Sequence, residues 1–354
     1  MKQYRRMTDL PSRKWWGFCV RFFKTFEVLI FKLLQFFDLY RAQKCIVGLP
    51  SLATRNFTVL QAVVYNGTLE EVLGFRPRRL LHRILRGLPD VEAYERIRFE
   101  VAVSESAIRS VDASTETRGF IHLQLPWALP WHFPRLVRVR LNPAGVETLL
   151  GKLKLGDYEV IGCPLFFLDE QYPWVVISDI DDTIKDSKIA ETTTLRQVLG
   201  GLFRGHFYRY DAIAGMAELY RQLVAQGCLI IYVTSTPYQL APFLLKFLRD
   251  NQFPDGPIFM RWLGYGRVRH KWRTLHKILS QVENQKCVLI GDSGEQDLGI
   301  YRRVCDTHRF GDQVLKVLIR HVPGTALPKA INQREAFYRE LPELKQHLSG
   351  ILGN

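Results

Sequence analysis

Residues Val175 to Lys185, VVISDIDDTIK, confine this chain to a narrow set of folds. Val175, Val176 and Ile177 form a short, continuous β-branched run. That is the composition of a strand buried on both faces, and such strands belong to parallel sheets with helices on each side. The run ends in acid, with Asp179, Asp181 and Asp182 placing three carboxylates in four positions. Such a cluster repels itself unless a cation sits among its oxygens, and oxygen ligands of this kind suit Mg²⁺. A carboxylate beside a metal can also be a nucleophile, and in an extended segment the acid two residues on points to the same side. The pair has the makings of both halves of a phosphoryl transfer.

Three later segments end in complementary chemistry. Leu229 to Pro237, LIIYVTSTP, reads as a second buried strand closing on the hydroxyls of Thr234, Ser235 and Thr236. A hydroxyl at a strand terminus can donate to a phosphoryl oxygen. Lys271 follows in the basic stretch RVRHKWR, and Cys287 to Asp297, CVLIGDSGEQD, is a third strand running into Asp292 and Asp297. In open α/β sheets, ligands bind beyond the carboxyl ends of the strands, so these groups are expected to converge there.

Asp179-Ile180-Asp181-Asp182-Thr183 resembles the DxDxT first motif of the haloacid dehalogenase superfamily; Thr234 matches its second motif, Lys271 its third and GDSGEQD its fourth. More narrowly, DIDDTIKDS, YVTSTPYQL, IGDSGEQDLGIY and VLIRHV resemble the actin-patch type of phosphatidate phosphatase catalytic domain over roughly residues 173 to 323. Where that family commonly reads Ser-Asn-Ser-Pro, this chain has Thr234-Ser235-Thr236-Pro237, keeping the first hydroxyl and lacking the amide. The resemblance implies Asp179 as nucleophile and Asp181 as general acid and base. It also implies Mg²⁺ on Asp179, the main-chain carbonyl of Asp181 and Asp292, with Thr234 and Lys271 on the phosphoryl oxygens. Asp297 would orient Lys271 or the metal's water, with Thr183 and Ser235 supporting the site. Asp182, Lys185 and Asp186 are expected to be solvated surface.

The resemblance implies an α/β fold: a haloacid dehalogenase-like Rossmannoid parallel sheet with a small cap, which covers residues 173–323. A β-sandwich-like domain is expected before it over 45–172, because period-two runs such as Arg138-Val139-Arg140-Leu141 suit antiparallel strands with one exposed face. A basic helix with Arg79, Arg83 and Arg86 interrupts it. The segment between Ile184 and Gly227 has room only for a small lid, where Leu199, Leu202, Phe203, Phe207 and Tyr208 serve equally as cap core or acyl-chain contacts. Residues 324–354 are expected to be a helical tail, with a polar helix from Gln333 to Leu348.

The net charge of +14 is concentrated at the amino terminus and wants an anionic partner. Within residues 13–40, Lys14, Arg21, Lys24, Glu27, Lys32, Gln35 and Asp38 fall on one helical arc, while Trp15, Phe18, Phe22, Phe26, Leu29, Leu33 and Phe36 fill the other side. Charges interrupt the apolar run too often for a membrane span, so residues 1–44 are expected to lie in a membrane interface, the alternative being a helix packed on the protein's own core, with Cys19 a candidate for acylation. The six scattered cysteines form no metal-binding spacing and suit reduced thiols in the cytoplasm. The expected function is a Mg²⁺-dependent phosphatase of a phospholipid substrate, phosphatidate first, at the inner face of a membrane. A phosphatase for nucleic-acid ends or nucleotides fits the same motifs and the positive charge, but the aromatic-rich segment lies far from the motifs in sequence, which disfavours nucleic acid as a partner. A non-catalytic membrane-bound interaction protein would lack a catalytic group, and none is missing.

Overall fold

The computed structural model describes residues 43–74, 91, 96–102, 108–116, 119–126, 136–143, 158–169, 172–186, 211–261, 266–282, 285–307, 310–326 and 329–352. The expected amino-terminal helix, Cys19, the three arginines at 79, 83 and 86, and the five cap residues between 199 and 208 lie outside the described residues.

The first layer is β-rich. It comprises β1 (Lys44–Ala53), β2 (Thr58–Asn66), the short α1 (Leu69–Leu73), β3 (Arg96–Ala102), β4 (Ile108–Ser114), β5 (Phe120–Leu125), β6 (Leu136–Pro143), β7 (Tyr158–Ile161) and β8 (Cys163–Phe167). The strands follow one path, β4-β3-β6-β8-β1-β2-β5, with β7 also paired to β1. Leu60, Ala62 and Val64 of β2 share a core with Ile97, Phe99 and Val101 of β3 and with Leu165 and Phe167 of β8. The strand path therefore wraps around its own interior. Its pairing is not purely antiparallel as expected, because β7 and β8 run parallel to β1. These strands are far apart in sequence, so no hairpin forces them antiparallel.

The second layer is a six-stranded parallel sheet, ordered β13-β12-β9-β14-β15-β16. Its strands are β9 (Trp174–Ser178), β12 (Cys228–Pro237), β13 (Ile258–Arg261), β14 (Lys286–Asp292), β15 (Val314–Arg320) and β16 (Glu335–Tyr338). The β-branched run splits its side chains between two cores. Val176 packs with Ile230, Val288 and Ile290 against α2 (Met216–Ala225), α3 (Ala241–Asp250) and α6 (Leu341–Leu352). Val175 and Ile177 pack with Leu229, Ile231 and Leu289 against α4 (Arg267–Leu279) and α5 (Asp297–Cys305). Burying both faces is what the continuous apolar run requires.

The sheet continues past the expected domain end at 323. The expected helix from Gln333 to Leu348 is instead strand β16, in register with β15, followed by α6. Phe337 packs on one core while Ala336 and Tyr338 join the other, an alternation that a helix cannot provide. Leu344 and Leu348, four apart on α6, then close over the sheet. Of the expected lid, the described part is the two-stranded base β10 (Lys185–Asp186) and β11 (Asp211–Ala212).

The β-rich layer docks on the β13 side. Gln61 Nε2 donates to the Ile258 carbonyl at 3.0 Å, and the Tyr65 hydroxyl donates to the Tyr238 carbonyl at 2.9 Å. Phe120 stacks on the Tyr238 ring, centroid to centroid 4.1 Å. Among the described residues, no helix is long and apolar enough to cross a membrane.

Candidate active site

Strand β9 lies at the centre of the sheet. The chain adds β12 and β13 on one side of it, then crosses to add β14, β15 and β16 on the other, so the order reverses between β9 and β14. The crevice beyond the carboxyl ends at such a reversal is where open α/β sheets bind ligands. Asp179 and Asp292 both sit there, and Asp179 N–H donates to the Ile290 carbonyl at 2.9 Å. A tight turn follows Asp179. Ile184 and Lys185 N–H both donate to the Ile180 carbonyl at 3.0 Å, with Asp182 in the left-handed region at φ 55°. Asp is one of the few non-glycine residues that tolerates this backbone. Arg320 clamps the turn by donating to the Asp182 carbonyl at 2.9 Å.

Around Asp179, all four expected segments meet. Thr183 Oγ1 donates to Asp179 Oδ2 at 3.3 Å, and Lys271 Nζ lies 2.8 Å from Asp179 Oδ1. The same ammonium donates to Asp297 Oδ1 at 2.6 Å and Glu295 Oε2 at 2.9 Å. Burial alone would lower the Lys271 pKa, but its three carboxylate neighbours push it well above the usual lysine range. Asp297, the first residue of α5, comes this close because Gly291 leaves room: a Cβ there would lie 2.6 Å from Asp297 Oδ2 and 2.9 Å from the Tyr301 hydroxyl. Asp292 Oδ1 accepts from the Gly294 and Glu295 N–H groups at 2.6 and 2.8 Å. Burial pushes Asp292 up to about 8 and raises Asp179 and Asp297 as well.

Asp181 has the opposite electrostatics. Thr234 and Thr236 hydroxyls donate to its Oδ2 at 2.9 and 2.8 Å, and Lys185 Nζ pairs with its Oδ1. Burial works against ionisation here, but the Lys185 charge and these hydrogen bonds outweigh it and hold the carboxyl below its usual range. Two acids two residues apart are thus pushed in opposite directions, which is the arrangement that separates acid–base roles.

The expectation that Lys185 is solvated surface is overturned: it is buried, because the turn at Asp182 folds it back onto Asp181. Asp182 and Asp186 are half-buried. Ser235 turns away from the aspartate pair to donate to Glu295 at 2.9 Å. Glu295 was not singled out by sequence, although it lies inside GDSGEQD; Thr236, expected among the hydroxyls facing phosphate, donates to Asp181. The signal for Lys185 is its position four residues after Asp181, directly behind the buried Ile184.

An open cavity of about 360 Å³ reaches this cluster. Its polar floor includes Asp181, Lys185, Ser235, Thr236, Arg261 and Glu295, while Leu240, Phe243, Leu244 and Phe247 form an apolar wall. The aromatic-rich amino-terminal segment is remote in sequence, but α3 supplies two phenylalanines, Phe243 and Phe247, to the cavity beside the motifs. The site also fits a divalent cation. One carboxylate oxygen from each of Asp179, Asp292 and Asp297 lies within 4.8 Å of the others. Asp292 Oδ2 is buried without a hydrogen-bond partner, and a hard cation with oxygen ligands would satisfy it. Lys271 reaches both Asp179 and Asp297, while Asp292 Oδ2 is the oxygen of the three carboxylates that no side chain or N–H engages.

Residues 174–321 match the family described as phosphatidate phosphatase APP1, catalytic domain. This stretch resembles an APP1-type catalytic domain. Phosphatidate phosphatase APP1 of Saccharomyces cerevisiae is 30% identical over 154 residues, which are 41% of this chain and 25% of that protein. An uncharacterised protein of Schizosaccharomyces pombe is 29% identical over 162 residues, 42% of this chain and 25% of its own length. The chain thus spans about a quarter of the length of these curated relatives. A solved haloacid dehalogenase family hydrolase from Deinococcus radiodurans, with bound phosphate and sodium, is 17% identical at a TM-score of 0.33, covering 51% of this chain and 97% of that chain. That likeness carries no weight for the chemistry of this site.

Proposed function

We propose that this chain is a phosphomonoester hydrolase that works through an aspartyl phosphate on Asp179, with phosphatidate as its substrate and diacylglycerol and phosphate as products. The observation that carries the reading is the convergence of Asp179, Asp181, Thr234, Lys271 and Asp292 at the ends of three strands, with Asp181 lining an open cavity. Asp179 attacks phosphorus as the bond to the leaving oxygen breaks. Asp181 gives that oxygen its proton, then takes a proton from the water that hydrolyses the aspartyl phosphate. It starts ionised. A phosphate monoester arriving as its monoanion, and drawing the Thr234 hydroxyl to itself, raises the proton affinity of Asp181 and hands it the proton that the leaving oxygen then receives.

Lys271 binds the phosphoryl oxygens and is held in place by Asp297 and Glu295. Mg²⁺ suits Asp179 and Asp292, with the Asp181 main-chain carbonyl as a third ligand. When bound, it offsets the charge between an anionic nucleophile and an anionic substrate. A cytoplasmic enzyme at the inner face of a membrane fits the amphipathic, basic segment within residues 13–40, whose aromatic face would enter the lipid boundary.

Hydrolysis of lipid and soluble phosphate monoesters, assayed in mixed micelles with and without Mg²⁺, tests the chemistry. Metal-dependent release of phosphate from phosphatidate is expected, and a protein inert on all esters would refute it. Flotation with anionic vesicles, for the full chain and for one lacking residues 1–42, tests the attachment. The full chain should float less as salt rises, and equal flotation of the two would remove the segment as anchor.

The second reading, a nucleotide phosphatase, gains one observation: Phe243 and Phe247 line the cavity and could stack on a base.

A further inference from the structure

The cavity combines two chemistries in one space. Its floor handles a phosphoryl group, and one wall carries side chains that have no use for phosphate. Leu240, Phe243, Leu244 and Phe247 recur at i, i+3, i+4 and i+7, so they form a single stripe running out of the 3₁₀ turn Tyr238–Leu240 and along α3. Leu240 and Leu244 are buried at the base of the stripe, while Phe243 and Phe247 are half-buried and complete it. At about 1.5 Å per residue the stripe is roughly 10 Å long, starting three residues after Pro237, where the hydroxyl loop ends. It therefore starts beside the hydroxyl loop and continues along α3 from there.

We infer that this stripe is the binding subsite for a linear hydrocarbon chain on the leaving group of the substrate. The inference rests on the phosphomonoester reading and deepens it, because it assigns selectivity for the alcohol half to α3. A nucleobase is the competing occupant. A base brings polar edges that need donors and acceptors, whereas the stripe offers only aliphatic and aromatic carbon along its length. A hydrocarbon chain needs nothing more than an elongated apolar strip, and its methylenes can be added one at a time.

The test uses the full chain and water-soluble straight-chain alkyl phosphates from methyl to octyl, all below the concentration at which they form micelles. Attachment to a surface then cannot mimic recognition of the chain. The value of kcat/KM should rise with length by up to about fourfold per buried methylene and level off when the stripe is full. Replacing Phe243 and Phe247 together by serine should bring the octyl-to-methyl ratio close to one, and replacing both by leucine should keep most of it. Calorimetric binding of alkyl phosphonates of the same lengths reads the same slope without turnover, so a failed phosphatase reading is distinguishable from a failed subsite. Turnover or binding that is flat with chain length would overturn the inference. So would a slope that survives in the serine variant, or a preference for adenosine monophosphate over octyl phosphate that is lost in that variant.

Discussion

Replacing Lys185 with methionine removes the one charge that the turn at Asp182 folds back onto Asp181, while keeping the length of the side chain. Both partners are largely shielded, with side-chain exposures of 8% and 15%. Breaking a buried ion pair by deleting one partner costs about 3–5 kcal/mol. Thr234 and Thr236 still donate to the Asp181 carboxylate, so the loss should sit near the lower figure, about 3 kcal/mol at neutral pH. The sign with pH is fixed by the direction of the shift. The pair holds Asp181 below its usual range, so its stabilisation is present above about pH 4 and is lost as pH falls through the folded-state value. The gap between wild type and variant in urea unfolding should therefore be full at pH 7 and close in acid. A neighbouring cation shifts a carboxylate by about 1–3 units, so the limb of the kcat/KM profile that reports Asp181 should move up by about 1–3 pH units. Lys185→Arg should retain most of both effects. If the methionine variant matches wild type in stability and in pH profile, Lys185 does not set the Asp181 proton and the reasoning fails.

Asp292→Ala should weaken Mg²⁺ binding, with partial rescue at high Mg²⁺, and a rate indifferent to both the replacement and chelation would remove it from the metal site. Burial raises the Asp292 pKa to about 8, so without metal its proton stabilises the folded state and stability falls as pH climbs from about 4 through 8; the rise in Tm on adding Mg²⁺ should be larger at pH 8 than at pH 6. Tyr65→Phe deletes the hydrogen bond that ties the β-rich layer to Tyr238, next to the hydroxyl loop; the Tyr238 carbonyl keeps the Ala241 N–H, so the cost should be about 0.5–1.5 kcal/mol. If the layer positions that loop, KM should rise more than kcat falls and inhibition by inorganic phosphate should weaken, whereas lost stability with unchanged kinetics would limit Tyr65 to packing.

Much of the site was legible because it is written at strand ends. A β-branched run that stops at Asp179, and two more that stop at Thr234 and Asp292, place their terminal groups by the geometry of a parallel sheet, so spacing along the chain becomes proximity in space. Lys185 and Glu295 were not legible in the same way. Their partners are chosen by the left-handed turn at Asp182 and by the loop between Asp292 and Asp297, which local composition describes only as polar. The carboxyl-terminal strand was missed for a different reason. Four residues, Glu335 to Tyr338, are too few to show a period of two among flanking charges, and their place is set by the open edge of β15. The parallel pairing of β1 with β7 and β8 was hidden likewise, since the partners are distant in sequence and no turn announces them.

The central claim is that Asp179 carries the phosphoryl group between substrate and water. The most direct measurement is acid quenching of the enzyme during turnover of a radiolabelled phosphate monoester with a good leaving group, followed by peptide mapping. Label should appear on the peptide containing Asp179, persist longer in Asp181→Asn because water is no longer activated, and vanish in Asp179→Asn with that protein still folded. Label on another residue, or ordinary turnover by the Asp179→Asn protein, would contradict the account.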